Sequence, residues 1–184
     1  MSAIGIILLV ILLLAVFCLI GFISISNRLN RSVVKINEAD SGIDVALLKR
    51  HDVLTKMLDV VKAYTKHEKE TLFEIVNLRK GMTMQEKSAA SAEMDQQFKS
   101  LNILAEGYPQ LLSSENYKTL QLAIADTEEH LQAARRLYNA AVSSYNQQIV
   151  SFPASAVANM KGLTKRDFFE VEESSKQDVA MKFE

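Results

Sequence analysis

Few residues in this chain could do covalent or metal chemistry: three histidines and one cysteine among 184 residues. His67-Glu68 matches the opening of the zinc-peptidase helix motif, in which a second histidine four residues on completes the metal face. Position 71 is Thr71, so that ligand is missing. A carboxylate-bridged di-iron bundle needs Glu three residues before His. Leu48, Tyr64 and Thr127 stand there ahead of His51, His67 and His130. Cys18 has no partner in the chain, so no intrachain disulfide forms. It lies in an apolar run, where a thiol behaves as a small hydrophobe. Phe17 before it is too large for a lipoprotein signal. No glycine-rich nucleotide loop, GxSxG elbow or CxxC pair is present. The expectation is a protein that is not an enzyme and uses no cofactor and no metal.

Other polar residues have a structural reading. Asp40, Asp44, Arg50 and Asp52 lie on or beside an apolar helical stripe, and a buried charge must be paired. The spacing suggests interhelical pairs, for instance Asp44 or Asp52 with Arg135 or Arg136; a recognition patch is the alternative. Asn139 and Asn146 repeat at an interval of seven beside Tyr138 and Tyr145. Polar residues beside a seam hydrogen-bond between helices and fix register. His67 and Glu68 read as a solvated face near the tip of the first helix.

The elements that position these residues begin with an anchor. Ala3 to Ile23 is 21 consecutive residues without a polar side chain, and every charged residue follows Asn27. At about 1.5 Å per residue this makes roughly 31 Å of helix, against a hydrocarbon core of about 30 Å. Met1-Ser2 supplies no basic n-region, and no small-x-small cleavage site follows. The segment reads as a permanent single-pass anchor, with Ile4, Ile7, Leu14, Cys18 and Phe22 in contact with lipid. Arg28, Arg31 and Lys35 follow it closely, so the positive-inside rule places the N-terminus outside and the body in the cytoplasm.

Beyond the anchor the apolar period is helical. One ladder reads Leu29, Ile36, Ile43, Arg50, Met57, Tyr64. A second reads Val33, Asp40, Leu47, Leu54, Val61, Glu68, Ile75. Together they predict one very long amphipathic helix from Leu29 to Arg79, ended by Gly81. Gly42 costs it about 1 kcal/mol without ending it. A second helix starts near Thr83, with Glu86 completing a capping box, and ends near Gly107 before Pro109. A third is capped by Ser113 or Ser114 and carries Tyr117, Ile124, Leu131, Tyr138, Tyr145 and Phe152 at intervals of seven, with Pro153 closing it. A short helix ends at Gly162. Phe168, Phe169 and Val171 are placed to dock on the bundle, ahead of a charged tail in which Val179, Met181 and Phe183 alternate.

The predicted class is therefore all-α: an N-terminal transmembrane helix followed by an antiparallel up-down helical bundle. Residues 1–26 form the anchor, 27–162 the bundle and 163–184 a partly docked tail. The first helix outruns the others. Its membrane-proximal stripe, Leu29, Val33, Ile36, Ile43, Leu47 and Leu54, is expected to pack on a second copy, because exposed apolar stripes mark partner sites. The formal charge of −1 gives no basic footprint for nucleic acid.

Several stretches carry a family likeness. Ile43-Asp44-Val45, Leu47, Arg50, Asp52, Val61-Lys62-Ala63-Tyr64 and His67-Glu68 resemble the first-helix signature of the LemA family. So do Ala105-Glu106-Gly107-Tyr108-Pro109, Asn116-Tyr117 with Leu120-Gln121, and Asp126-Thr127-Glu128. Arg135-Arg136-Leu137-Tyr138-Asn139, Tyr145-Asn146, Ser151-Phe152-Pro153 and Phe168-Phe169-Glu170 complete the resemblance in order along the chain. Thr55-Lys56 replace the family's Pro-Asn, and Ala63 replaces its Gly. The resemblance implies a bacterial single-pass membrane protein with a helical bundle and no established catalytic activity. Two functions follow from the whole reading. One is a membrane-bound protein that self-associates and organises or shapes the membrane. The other is a membrane-tethered adaptor or sensor that recruits a membrane protein such as a protease.

Overall fold

The computed structural model describes residues 3–65 and 76–170. Among these the regular structure is helical: α1 (Ala3–Tyr64), α2 (Met84–Glu106), α3 (Pro109–Ser113), α4 (Glu115–Val150) and α5 (Ala154–Met160).

The 62 residues of α1 join the apolar segment to the first bundle helix without a break. Its N-terminal part has a mean hydropathy of 3.5, long and apolar enough to cross a membrane, and none of it is covered by the rest of the chain. The boundary expected at residues 26 and 27 falls inside this helix. Ser24-Ile25-Ser26-Asn27 contains neither Gly nor Pro, so nothing there breaks the backbone hydrogen bonding.

The C-terminal end of α1 differs from expectation. The helix stops at Tyr64, not near Gly81. Thr65, the next residue, is already outside the helix. Residues 76–79 are not helical, and Gly81 sits in a turn at φ 79°, a conformation that glycine adopts without steric cost. His67, Glu68, Thr71 and Ile75 lie outside the described residues, as do Val171, Val179, Met181 and Phe183.

Three helix starts follow local rules. The Glu86 amide donates to Thr83 Oγ1 at 3.2 Å, and the Thr83 amide donates to Glu86 Oε2 at 2.7 Å, forming the expected capping box. Ser114 is the residue that caps α4, accepting from the Tyr117 amide at 3.3 Å. The short α3 opens on Pro109, whose missing N–H costs nothing at a first helical position.

The chain forms two compact units, residues 1–39 with 139–167 and residues 40–138 with 168–184. In the second, Lys87 of α2 meets Asp40 and Asp44 of α1, and Asp95 further along α2 meets Arg50 further along α1. Numbers rise together, so α1 and α2 run in the same direction. Lys49 meets Asp126 while Asn102 meets Tyr117 and Gln121, so α4 opposes both. The antiparallel expectation thus applies to each helix against α4. Val76, ahead of α2, is buried with Leu54, Met57 and Val61 of α1, Met94, Phe98 and Leu101 of α2, and Leu111. Each such side chain contributes about 1.5–3 kcal/mol when fully buried.

In the first unit, Leu29, Ile36, Tyr145, Ile149, Val157 and Ala158 are each buried. Ser32 Oγ donates to Gln148 Oε1 at 3.3 Å, and the Tyr145 hydroxyl donates to the Thr164 carbonyl at 3.0 Å.

These contacts correct the expected oligomer stripe. Leu29, Ile36, Ile43, Leu47 and Leu54 are all at most 4% exposed within the single chain, and Val33 is half-buried. The difference lies at the far end of α1, which is shorter than its sequence pattern predicts. With α1 ending at Tyr64, its part beyond the anchor matches the 36 residues of α4, and its own chain covers the stripe.

Candidate functional site

Two cations sit where the apolar ladders are interrupted. Arg50 occupies a ladder position and is only 3% exposed. Its guanidinium pairs with Asp95 of α2 and, at 2.8 Å, with Glu128 of α4. It also lies over the Phe98 ring, 5.5 Å from the centroid. One residue therefore ties three helices together. Its Nε is buried and has no partner among the described residues. Burial pushes the Asp95 carboxyl above the usual carboxylate range; Arg50 opposes that shift and Glu128 adds to it.

Asp40, the other described interruption, pairs with Lys87 at 2.6 Å. Lys87 is itself buried and also reaches Asp44 at 2.6 Å. Burial alone would lower its pKa; the hydrogen bonds to Asp40 and Asp44 outweigh that and raise it. Beside these pairs, exposed Lys49 meets Asp126 at 2.7 Å, with His130 Nε2 3.4 Å from the same carboxylate. The Lys49 bond holds the Asp126 carboxyl below its ordinary value.

The residues singled out from the sequence are distributed as follows. Asp44 pairs with Lys87, not with an arginine of α4. Asp52 Oδ1 lies 3.9 Å from Nδ1 of the neighbouring His51. Arg135 stacks on buried Phe169, 4.9 Å from the ring centroid, and Arg136 is exposed on α4. Asn139 is half-buried on α4. Asn146 exchanges two 2.9 Å hydrogen bonds with the backbone of Arg166, so it fastens the segment after α5 and not another helix. Ile4, Ile7, Leu14, Cys18 and Phe22 are exposed along the apolar part of α1. Lys87, Asp95 and Glu128 were not identified from the sequence. The signal for them was present in the breaks at Asp40 and Arg50, since a charge on an otherwise apolar seam demands a counter-charge on the facing helix.

The chemistry of this arrangement is pairing. Each buried cation faces two carboxylates, and among the described residues no group of three or more His, Cys, Asp or Glu is placed to hold a metal ion.

The unit that contains the apolar segment has a different surface. Arg28, Arg31, Lys35, Lys161, Lys165 and Arg166 are all exposed there, against two carboxylates, Glu38 and Asp167. A groove of about 430 Å³ is lined by Arg28, Arg31 and Lys35 with Ser32, Ser144 and Gln148.

An apolar segment continuous with a closed helical bundle points to a membrane-anchored, single-pass, helical-bundle protein. The chain belongs to the LemA family, whose model matches residues 39–183. It is 31% identical over 163 residues to Protein LemA of Metamycoplasma hominis, covering 86% of this chain and 74% of that protein. It is also similar to Magnetosome protein MamQ 2 of Paramagnetospirillum magneticum, 30% identical over 70 residues, which is 38% of this chain and 26% of that one. Magnetosome protein MamQ of Magnetospirillum gryphiswaldense is 28% identical over 69 residues, 38% of this chain and 25% of that one.

Proposed function

We propose that the protein is a non-catalytic membrane scaffold that self-associates and organises the bilayer carrying it, with its N-terminus outside and its bundle in the cytoplasm. The observation that supports this most is the unbroken α1, which makes the membrane segment and the first core helix one element. Arg28, Arg31 and Lys35 at the end of the apolar segment support the orientation. Self-association is assigned to surfaces left open once the core stripe is used. The membrane segment is one, and the outward-facing Val45 and Leu48 of α1, 65% and 56% exposed, are another.

Native mass measurement of the full chain in mild detergent tests the reading. A discrete or polymeric assembly supports it. A monomer that co-purifies with another membrane protein supports an adaptor instead. For orientation, a Lys80→Cys variant in intact cells should resist an impermeant thiol reagent, and ready labelling from outside would reverse the topology.

A further inference from the structure

The seven-residue ladder of α4 has one member that does not reach the core. Tyr117, Leu131, Tyr138 and Tyr145 are buried, whereas Phe152 is 87% exposed. The helix ends at Val150, and Phe152 stands in the turn that leads to α5. Val150 at 59% and Met160 at 76% exposure flank it in sequence at the two ends of the elbow.

The position of this elbow along α1 is fixed within the first unit. Gln148 accepts from Ser32, and α4 runs toward the apolar segment. Phe152 and Pro153 share a groove with Ile25, Arg28 and Leu29. Lys161, next to Met160, donates to Ser26 Oγ at 2.9 Å and to Asn30 Oδ1 at 2.7 Å. The apolar run ends at Ile23. Five residues further, Arg28 stands about 7.5 Å along the helix. The headgroup layer of one leaflet is roughly 5–8 Å deep. The elbow therefore stands at the level just beyond the apolar run, beside exposed Arg28 and Lys161.

We propose that the α4–α5 elbow is a second membrane contact, in which Phe152, Val150 and Met160 enter the headgroup boundary of an anionic leaflet while Arg28 and Lys161 bind its phosphates. Exposed aromatic and aliphatic residues beside lysine and arginine are the composition of interfacial membrane binding, and cations near an anionic surface each add attraction. The occupant is the phospholipid surface that α1 itself leaves at this level. The inference rests on the membrane-anchored reading above and adds a second point, within the same unit, at which the protein meets the bilayer.

The chain contains no tryptophan, so Phe152→Trp in the full-length protein creates a single fluorescent reporter. Val34→Trp is the control: Val34 is exposed on α1, and at about 1.5 Å per residue it stands about 16 Å beyond Ile23, in water. Both variants are reconstituted into phosphatidylglycerol vesicles containing lipid brominated high on its acyl chains. F152W should be quenched at least about fivefold more than V34W, with less quenching in phosphatidylcholine, because the contact is partly electrostatic. Equal quenching of F152W in both lipids overturns the anionic preference. Acrylamide access equal to that of V34W, without bromolipid quenching, overturns the contact. Protection from both quenchers also overturns it, because a second copy then covers the elbow. Flotation of the same vesicles after alkaline carbonate reads the anchor separately. Protein that floats without F152W quenching refutes the elbow alone, and protein that does not float refutes the anchor.

Discussion

Arg50 of α1 and Glu128 of α4 meet at 2.8 Å inside the bundle, 78 positions apart in the sequence. The arginine occupies a place where the apolar ladder would otherwise put an aliphatic side chain. Its stem fills that place, its guanidinium lies over Phe98, and its charge is met from two helices. Taking such an ion out of water costs several kcal/mol, and the pair is kept only where geometry repays it.

Arg50→Ala should therefore destabilise the bundle by about 2–3 kcal/mol, less than the roughly 3–5 typical of a broken fully buried pair, because Asp95 and Glu128 keep partial contact with water. Arg50→Met, which retains the stem and removes the charge, should cost less than Arg50→Ala. Denaturant titration of helicity in detergent ranks the two. Equal losses would assign the effect to the lost charge alone, since the methionine keeps the packing of the stem.

Lys87 gives the bundle an alkaline limit. Its pKa is raised in the fold by Asp40 and Asp44. The protonated form is the one favoured by folding, so its contribution is complete below the ordinary lysine pKa and disappears as pH rises through the raised value. Melting temperature should fall on going from mildly to strongly alkaline buffer. Lys87→Met should remove part of that dependence while lowering stability at neutral pH, where Asp40 and Asp44 lose their shared cation. An identical alkaline slope in wild type and variant would show that another group sets the limit.

Thr83→Ala removes one half of the capping box at the start of α2. A lost N-cap costs about 1 kcal/mol. Hydrogen exchange should quicken at the Glu86 amide, which loses its acceptor. A Glu86→Ala change added to it should cost less than its effect alone, since the two side chains act as one unit.

Ile43 is fully buried within the single chain. Ile43→Asp should collapse helicity and assembly together, and Ile43→Ala should cost about 2–5 kcal/mol. Circular dichroism and native mass on the same sample decide this. A variant that stays helical while losing only its oligomeric mass would return this position to an interface between copies.

The sequence by itself determined everything that is local or periodic. The apolar run, the two ladders of α1, the Thr83 box, the Ser114 cap and the stop at Gly162 all follow from backbone rules acting over a few residues. The LemA resemblance was legible for the same reason, since its motifs lie on those elements. Tertiary structure decided which partner each stripe and each charge obtained. Leu29 to Leu54 looked uncovered because helix lengths alone do not reveal how far α4 reaches along α1. Asp44 was matched to the wrong cation because Lys87 stands beside it only when α1 and α2 run in parallel, and the period of either helix is the same in both directions. Phe152 kept its place in the ladder on paper, yet it is exposed because the helix ends two residues earlier. Direction, reach and termination depend on contacts between residues far apart in the chain, and a one-dimensional pattern carries no information about those distances.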